Sequence, residues 1–181
     1  FSGQGTVLDL GCGPADILIR FSRAYPDCTC IGVDGAEAML APGRQAVAVA
    51  QLGHRITLQQ QLLPCPTIPG LQEKCSAVLS NSLLHHLHQP EVLWQTVQDQ
   101  IAPNGAVLVM DLFRPASPEA AQQLVHTYTA NEPAVLQQDF YNSLLAAFRP
   151  EEIQEQLHRA GLSLHCEQVS DRHLAVWGWC A

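Results

Sequence analysis

Three groups of residues in this sequence have the types and spacing for chemistry. The first is Asp9-Leu10-Gly11-Cys12-Gly13, a carboxylate followed by two glycines that flank a cysteine. Glycines in a turn accept positive φ and carry no Cβ, so backbone N–H groups can approach a ligand closely. The second is Asp34, which ends the apolar stretch Ile31-Gly32-Val33. It stands about twenty residues past the turn, where a carboxylate can accept hydrogen bonds from both hydroxyls of a ribose. The third is His85, His86 and His88 with Asp111 downstream, groups able to hold or accept a proton near neutral pH.

The glycine turn alone is a weak signal. A dinucleotide fingerprint needs a third glycine at position 16, and Asp16 stands there. That counts against a nicotinamide site. Asp9 points the same way, because a dinucleotide site is usually apolar at that position. A charge near the centre of a parallel sheet is expensive unless it faces a ligand or a hydrogen-bonding loop. The seven cysteines are odd in number and include no C-x-x-C. This argues against a disulfide framework and a zinc site, and no metal is expected.

The elements that must carry these residues alternate. Residues 6–12 read as a strand and 15–25 as a helix ended by Pro26-Asp27. Residues 28–35 form a second strand. A second helix over 36–53 is expected to kink or break at Pro42-Gly43 and to stop at Gly53. Strands follow at 55–61, 75–82 and 106–113. A proline-rich loop at 64–74 and a helix at 90–101 separate them, the helix turning Val92, Leu93, Val97 and Ile101 to the core. Pro150 opens a last helix and Gly161 closes it. The two final strands are too close in sequence for a crossover, so they must pair antiparallel. The expected fold is a doubly wound α/β domain, with a mostly parallel seven-stranded sheet and a C-terminal antiparallel hairpin. Residues 117–149 look helical but lie outside the alternation.

At 181 residues the chain fits one domain. The net charge is −8 with a single lysine, Lys74, so a polyanion is repelled and nucleic acid is not an expected partner. No apolar run reaches the ~18 residues needed to cross a bilayer, and no signal peptide is visible. A cytoplasmic monomer or homodimer without membrane contact is expected. The first strand begins almost at residue 6, so the expected domain lacks an N-terminal helix.

The motifs together resemble one family. "VLDLGCGPA" is similar to the first motif of class I S-adenosylmethionine-dependent methyltransferases and "GVDGAEAML" to the second. "SNSLLHHLHQP", "IAPNGAVLVMDLF" and "FRPEEIQEQLHRAGL" resemble their later segments, in the right order over nearly the whole chain. The nearest texture is that of small-molecule enzymes of the ubiquinone/menaquinone-biosynthesis type. The resemblance implies S-adenosylmethionine as cofactor and a Rossmann-like fold. Gly11, Cys12 and Gly13 would line its methionine part with backbone, and Asp9 would reach its amino group. Asp34 would take the ribose hydroxyls, and Gly35 and Met39 would sit near the adenine, with core packing the competing role for Met39. Asn81 and Ser82 would pass close to the methionine moiety. Relatives usually carry an acidic residue after strand three to hold the adenine amine. Here the sequence is Gln59-Gln60-Gln61, and Gln60 or Gln61 can accept that bond instead.

Methyl transfer needs in-line placement more than a strong base, and an oxygen or carbon acceptor benefits from one. His85, His86 and Asp111 are the candidates, against structural roles in packing or capping. The motif used on amino groups of nucleobases is absent at Ser80-Asn81-Ser82-Leu83. The Pro64-Cys65 pair follows strand three rather than strand four, which rejects a cytosine-type nucleophile. The 117–149 segment falls where relatives place substrate caps, so Tyr128 and Tyr141 are expected at a small-molecule acceptor; Phe148 is expected to pack the insert on the sheet. Arg114 would suit an anionic group there, against a salt bridge to Asp111 or a solvated position. Arg172 and His173 are expected in a loop at the end of the sheet opposite the cofactor, or at that site's edge. The competing functions are a non-catalytic S-adenosylmethionine-binding module and, less favoured, a nicotinamide oxidoreductase. The acceptor's identity is not encoded in any of these residues.

Overall fold

The computed structural model describes residues 1–180. Seven strands form one sheet in the order β3-β2-β1-β4-β5-β7-β6. They are β1 (Gly5–Leu10), β2 (Cys28–Asp34), β3 (Ile56–Gln60), β4 (Cys75–Asn81), β5 (Ile101–Leu112), β6 (His165–Gln168) and β7 (His173–Trp179). The first five are parallel, and β7 runs antiparallel to both β5 and β6. The order reverses between β1 and β4. In an open α/β sheet, that reversal leaves a crevice at the carboxyl ends of the two strands.

Helices α1 (Asp16–Ala24) and α2 (Glu37–Val49) cover one face of β1–β3. On the other face, α3 (Glu91–Gln100) and α6 (Pro150–Arg159) close a core built on Leu8, Leu10, Val33, Val107 and Val109. Trp94 is its largest fully buried side chain. Its indole N–H donates to Gln156 Oε1 at 2.9 Å, which satisfies the one polar group it brings inside. Of the apolar positions expected to face this core from α3, Leu93 and Val97 are buried while Val92 is only half-buried.

Three local expectations change. Helix α2 runs unbroken through Pro42. Gly43 beside it lets the helix pack on the glycine turn, since a Cβ there would stand 3.2 Å from the Pro14 carbonyl carbon. The helix also stops earlier than Gly53. Gln51 takes the left-handed conformation at φ 58°, and Leu52 N–H closes on Val47 O at 3.0 Å. This is a Schellman end made without glycine. Strand β5 starts at Ile101 because Pro103-Asn104-Gly105 form an irregularity within the pairing to β4 rather than a separate turn. Gly161, at φ 65°, does close α6.

The 117–149 segment is an antiparallel helix pair, α4 (Pro118–Thr129) and α5 (Ala134–Ala146). Ser117 Oγ accepts from Ala120 N–H to start α4. The pair packs on Leu112 through Ala121, Leu144 and Ala147, and Phe148 packs against the main core. The chain between β6 and β7 lies at the carboxyl end of β5, not at the far end. His173 pairs with Leu112, and Phe113 N–H donates to Arg172 O at 3.0 Å. An antiparallel strand that follows a parallel one must begin where its neighbour ends.

Candidate functional site

A cleft of about 700 Å³ opens at the carboxyl ends of β1, β2 and β4. The turn after β1 forms its floor. Gly11 and Gly13 have φ of 74° and 50°, and Ala15, fully buried, has φ 65°. Ala15 N–H bonds Cys12 O at 2.9 Å and Ile19 N–H bonds Ala15 O, so the turn runs directly into α1. A left-handed alanine costs on the order of 1–2 kcal/mol. Strain of this kind clusters at ligand sites. Gly11 needs both its freedom and its missing side chain, because a Cβ would stand 2.9 Å from Leu83.

Asp34 ties the rim together. Its Oδ2 accepts from Gly13 N–H at 2.9 Å and its Oδ1 from Ala36 N–H at 2.8 Å. Each oxygen keeps a lone pair for a further donor. Asp9 lies beneath, buried, with its carboxyl on the cleft wall. Burial, then the neighbouring charges of Asp16 and Asp34, push its pKa up to about 7. Among the described residues, no hydrogen bond holds it down. An acid left in this state is expensive unless a cation or donor meets it.

Of the remaining expected residues, Cys12, Gly35, Met39, Gln61, Asn81, Ser82 and His86 also line the cleft. The Cys12 thiol turns away into the α1–α2 core, and burial pushes its pKa far up, so only its backbone faces a ligand. Met39 is not core: it is 44% exposed and its methyl lies over Gly13. Gln60 lies outside, its amide donating to Gly35 O at 3.1 Å. Asn81 Nδ2 donates to Ser82 Oγ at 3.0 Å.

The two histidines separate. His85 is buried, and its Nδ1 lies 2.5 Å from Asp111 Oδ1. Asp111 also accepts from Leu84 N–H at 2.6 Å and Leu112 N–H at 2.7 Å. That pair fastens the 3₁₀ turn Leu84–His86 to the end of β5 and leaves Asp111 off the cleft wall. His86 is carried on this turn into the cleft, its ring 3.9 Å from that of His85. Burial and the neighbouring His85 hold its pKa below the usual imidazole value, so it is a neutral acceptor at pH 7. Three expected acceptor contacts stay off the cleft. Arg114 pairs with Glu152, not Asp111. Tyr128 donates to Asp171 Oδ2 at 2.6 Å, with the Arg172 guanidinium 3.5 Å over its ring. Tyr141 lines a shallow hollow between α4 and α5.

The sequence reading missed Ile17, Leu62, Leu63, Leu83 and Leu87 on the cleft wall. Leu62 is 77% exposed there. The one signal for it was an apolar pair inside a loop, directly after Gln61. Among the described residues, no group of three or more His, Cys, Asp or Glu converges as a metal site requires.

A family profile described as "Methyltransferase domain" matches residues 2–167. The chain is 29% identical over 117 residues to a ubiquinone/menaquinone biosynthesis C-methyltransferase UbiE of Syntrophotalea carbinolica, covering 65% of this chain and 48% of the relative. It is 28% identical over 152 residues to a trans-aconitate 2-methyltransferase of Yersinia pestis, covering 77% and 55%. The chain thus spans about half the length of the curated relatives it matches. A solved structure of a SAM-dependent methyltransferase from Aquifex aeolicus superposes with a TM-score of 0.74 at 15% identity, over 99% of this chain and 83% of that one.

Proposed function

The chain belongs to the methyltransferase-domain family, and from that premise we propose that it binds S-adenosylmethionine in the cleft and passes the methyl group to a small-molecule acceptor beneath α4 and α5. The observation that carries the reading is a pair of carboxylates set across one cleft. Asp9, buried and without a hydrogen bond from the described residues, suits an ammonium group. Asp34, with lone pairs free beside two bound amides, suits the two hydroxyls of a ribose. Gly11 and Gly13, both at positive φ on the cleft wall, present backbone to the methionine part. Met39 and Leu62, exposed at the other end, offer apolar surface for a purine, with Gln61 alongside.

S-adenosylmethionine supplies a methyl group already activated by its sulfonium charge. The chain's residues therefore position the reactants and exclude water. Leu83 and Leu87 give the acceptor side an apolar wall. His86, neutral at pH 7, accepts the proton that an oxygen or carbon acceptor sheds. His85 and Asp111 hold the turn that places it. Helix α5 packs against that turn. The relatives' printed names, a C-methyltransferase and a trans-aconitate methyltransferase, fit acceptors of small size.

Calorimetry with S-adenosylhomocysteine tests the binding part. Heat with this ligand and none with NAD is expected, and Asp34→Ala or the isosteric Asp34→Asn should weaken binding at least about tenfold, the loss of a charge-assisted pair of hydrogen bonds. His86→Ala should leave that heat unchanged and lower turnover about a hundredfold, the lower range for a lost general base. No heat from the wild-type protein, or Asp34 variants that bind normally, would falsify the cleft assignment. Unchanged turnover in His86→Ala removes the base.

A further inference from the structure

The charges around the cleft are of one sign. Asp9, Asp16 and Asp34 line it, and among the described residues no lysine or arginine does. Asp16 is the carboxylate that the cofactor reading leaves unassigned, exposed in the first turn of α1. Asp139 adds its negative charge on the His86 side, from α5, which packs against the Leu84–His86 turn. The two arginines at this end of the sheet are engaged elsewhere. Arg114 pairs with Glu152, and Arg172 pairs with Asp171 at 3.1 Å.

Main-chain donors along the turn are engaged as well. Ser82 N–H donates to Met110 O at 2.9 Å, His86 N–H to Leu83 O at 2.9 Å and Leu87 N–H to Leu84 O at 3.1 Å. Leu84 N–H donates to Asp111, and the Asn81 amide to Ser82 Oγ. The turn therefore presents to the cleft the apolar surface of Leu83 and Leu87 and one imidazole, that of His86. A neutral imidazole has one acceptor nitrogen. An anion brought here would lose water, meet like charges and find no cation, which is a costly way to bury a charge. An uncharged group with a proton to donate meets a partner in His86.

We infer that the acceptor side of the cleft selects by charge. It admits an uncharged, largely apolar molecule that presents a hydroxyl to His86, and it refuses carboxylates and phosphates. Asp16 and Asp139 supply the repulsion, and Leu87 is a position where a basic side chain would reverse the choice. The inference deepens the proposed function and rests on it, because the cofactor defines which part of the cleft is left for the acceptor.

The test is a pair of ligands of similar shape, 2-naphthol and 2-naphthoate, titrated by calorimetry at pH 7 into protein saturated with S-adenosylhomocysteine. At that pH a phenol is uncharged and a carboxylate is ionised. Naphthol should bind at least about tenfold more tightly than naphthoate, the mark of an anion left without a partner. Leu87→Arg should strengthen naphthoate at least about tenfold through a charge-assisted hydrogen bond. Leu87 is half-buried, so retained heat with S-adenosylhomocysteine serves as the check on folding. His86→Phe, at an exposed position, is the second variant. It should weaken naphthol by roughly threefold to tenfold, the worth of one hydrogen bond, and leave naphthoate as weak as before. Naphthoate that binds the wild-type protein as well as naphthol does overturns the inference, and so does naphthol that fails to bind. Heat with S-adenosylhomocysteine is measured first. Its absence removes the cofactor assignment and this inference with it, whereas its presence without a preference for naphthol removes this inference alone.

Discussion

In the proposed site, Asp9 sets a trade between stability and binding. Its pKa in the folded protein, about 7, lies above the ordinary 3.8. The protonated acid is therefore favoured by folding. The stability it contributes is full below the ordinary value and is lost as pH rises through about 7. Asp9→Asn should thus raise the melting temperature of the free protein at pH 8 and have little effect at pH 4. The same variant should bind S-adenosylhomocysteine at least about tenfold more weakly at pH 8, where the wild-type carboxylate can meet an ammonium group. Thermal melts at both pH values, with and without ligand, check both halves. A variant less stable than wild type at pH 8 would show that the carboxylate is satisfied some other way. The residue's place on the cleft wall was legible in the sequence from its charge inside an apolar strand. The different fates of His85 and His86 were not. They depend on a 3₁₀ turn of three residues, and no periodicity distinguishes adjacent histidines in so short an element.

Elements were legible where apolar pattern and punctuation agreed. The alternation of strands and helices, the antiparallel end and the closure of α6 at Gly161 followed from local rules. The end of α2 did not, because Gln51 supplies the left-handed residue with glycine only two positions later. The tertiary fit of Leu52 into the core overrides the propensity. That mismatch is correctable. Gln51→Gly should stabilise the protein by about 0.5–1 kcal/mol through relief of the left-handed backbone. This corresponds to a rise of roughly 1–4 °C in melting temperature for a chain of this size. Gly53→Ala should change little by comparison, since nothing lies within 4 Å of a Cβ there. A melting temperature unchanged in Gln51→Gly would mean that the residue's side chain makes contacts worth as much as the backbone strain. The placement of Arg114 was hidden for a related reason. Its partner Glu152 is 38 residues away and serves the start of α6, also accepting from Arg149 N–H at 2.7 Å.

For the molecule as a whole, the excess of acid over base has a consequence for the proposed methyl transfer. The chain carries −8 overall, and Asp9, Asp16 and Asp34 gather round one cleft. S-adenosylmethionine carries one more positive charge than the thioether left behind once its methyl has gone. A negative field attracts the first from a distance and has little hold on the second. The protein would thus load its donor by long-range attraction and shed the spent form without a conformational push. Raising ionic strength, which shortens the Debye length from about 10 Å at 0.1 M to about 3 Å at 1 M, should weaken the donor and leave its product nearly unaffected. Equal salt sensitivity of the two ligands would show that discrimination between fresh and spent donor lies in local contacts alone.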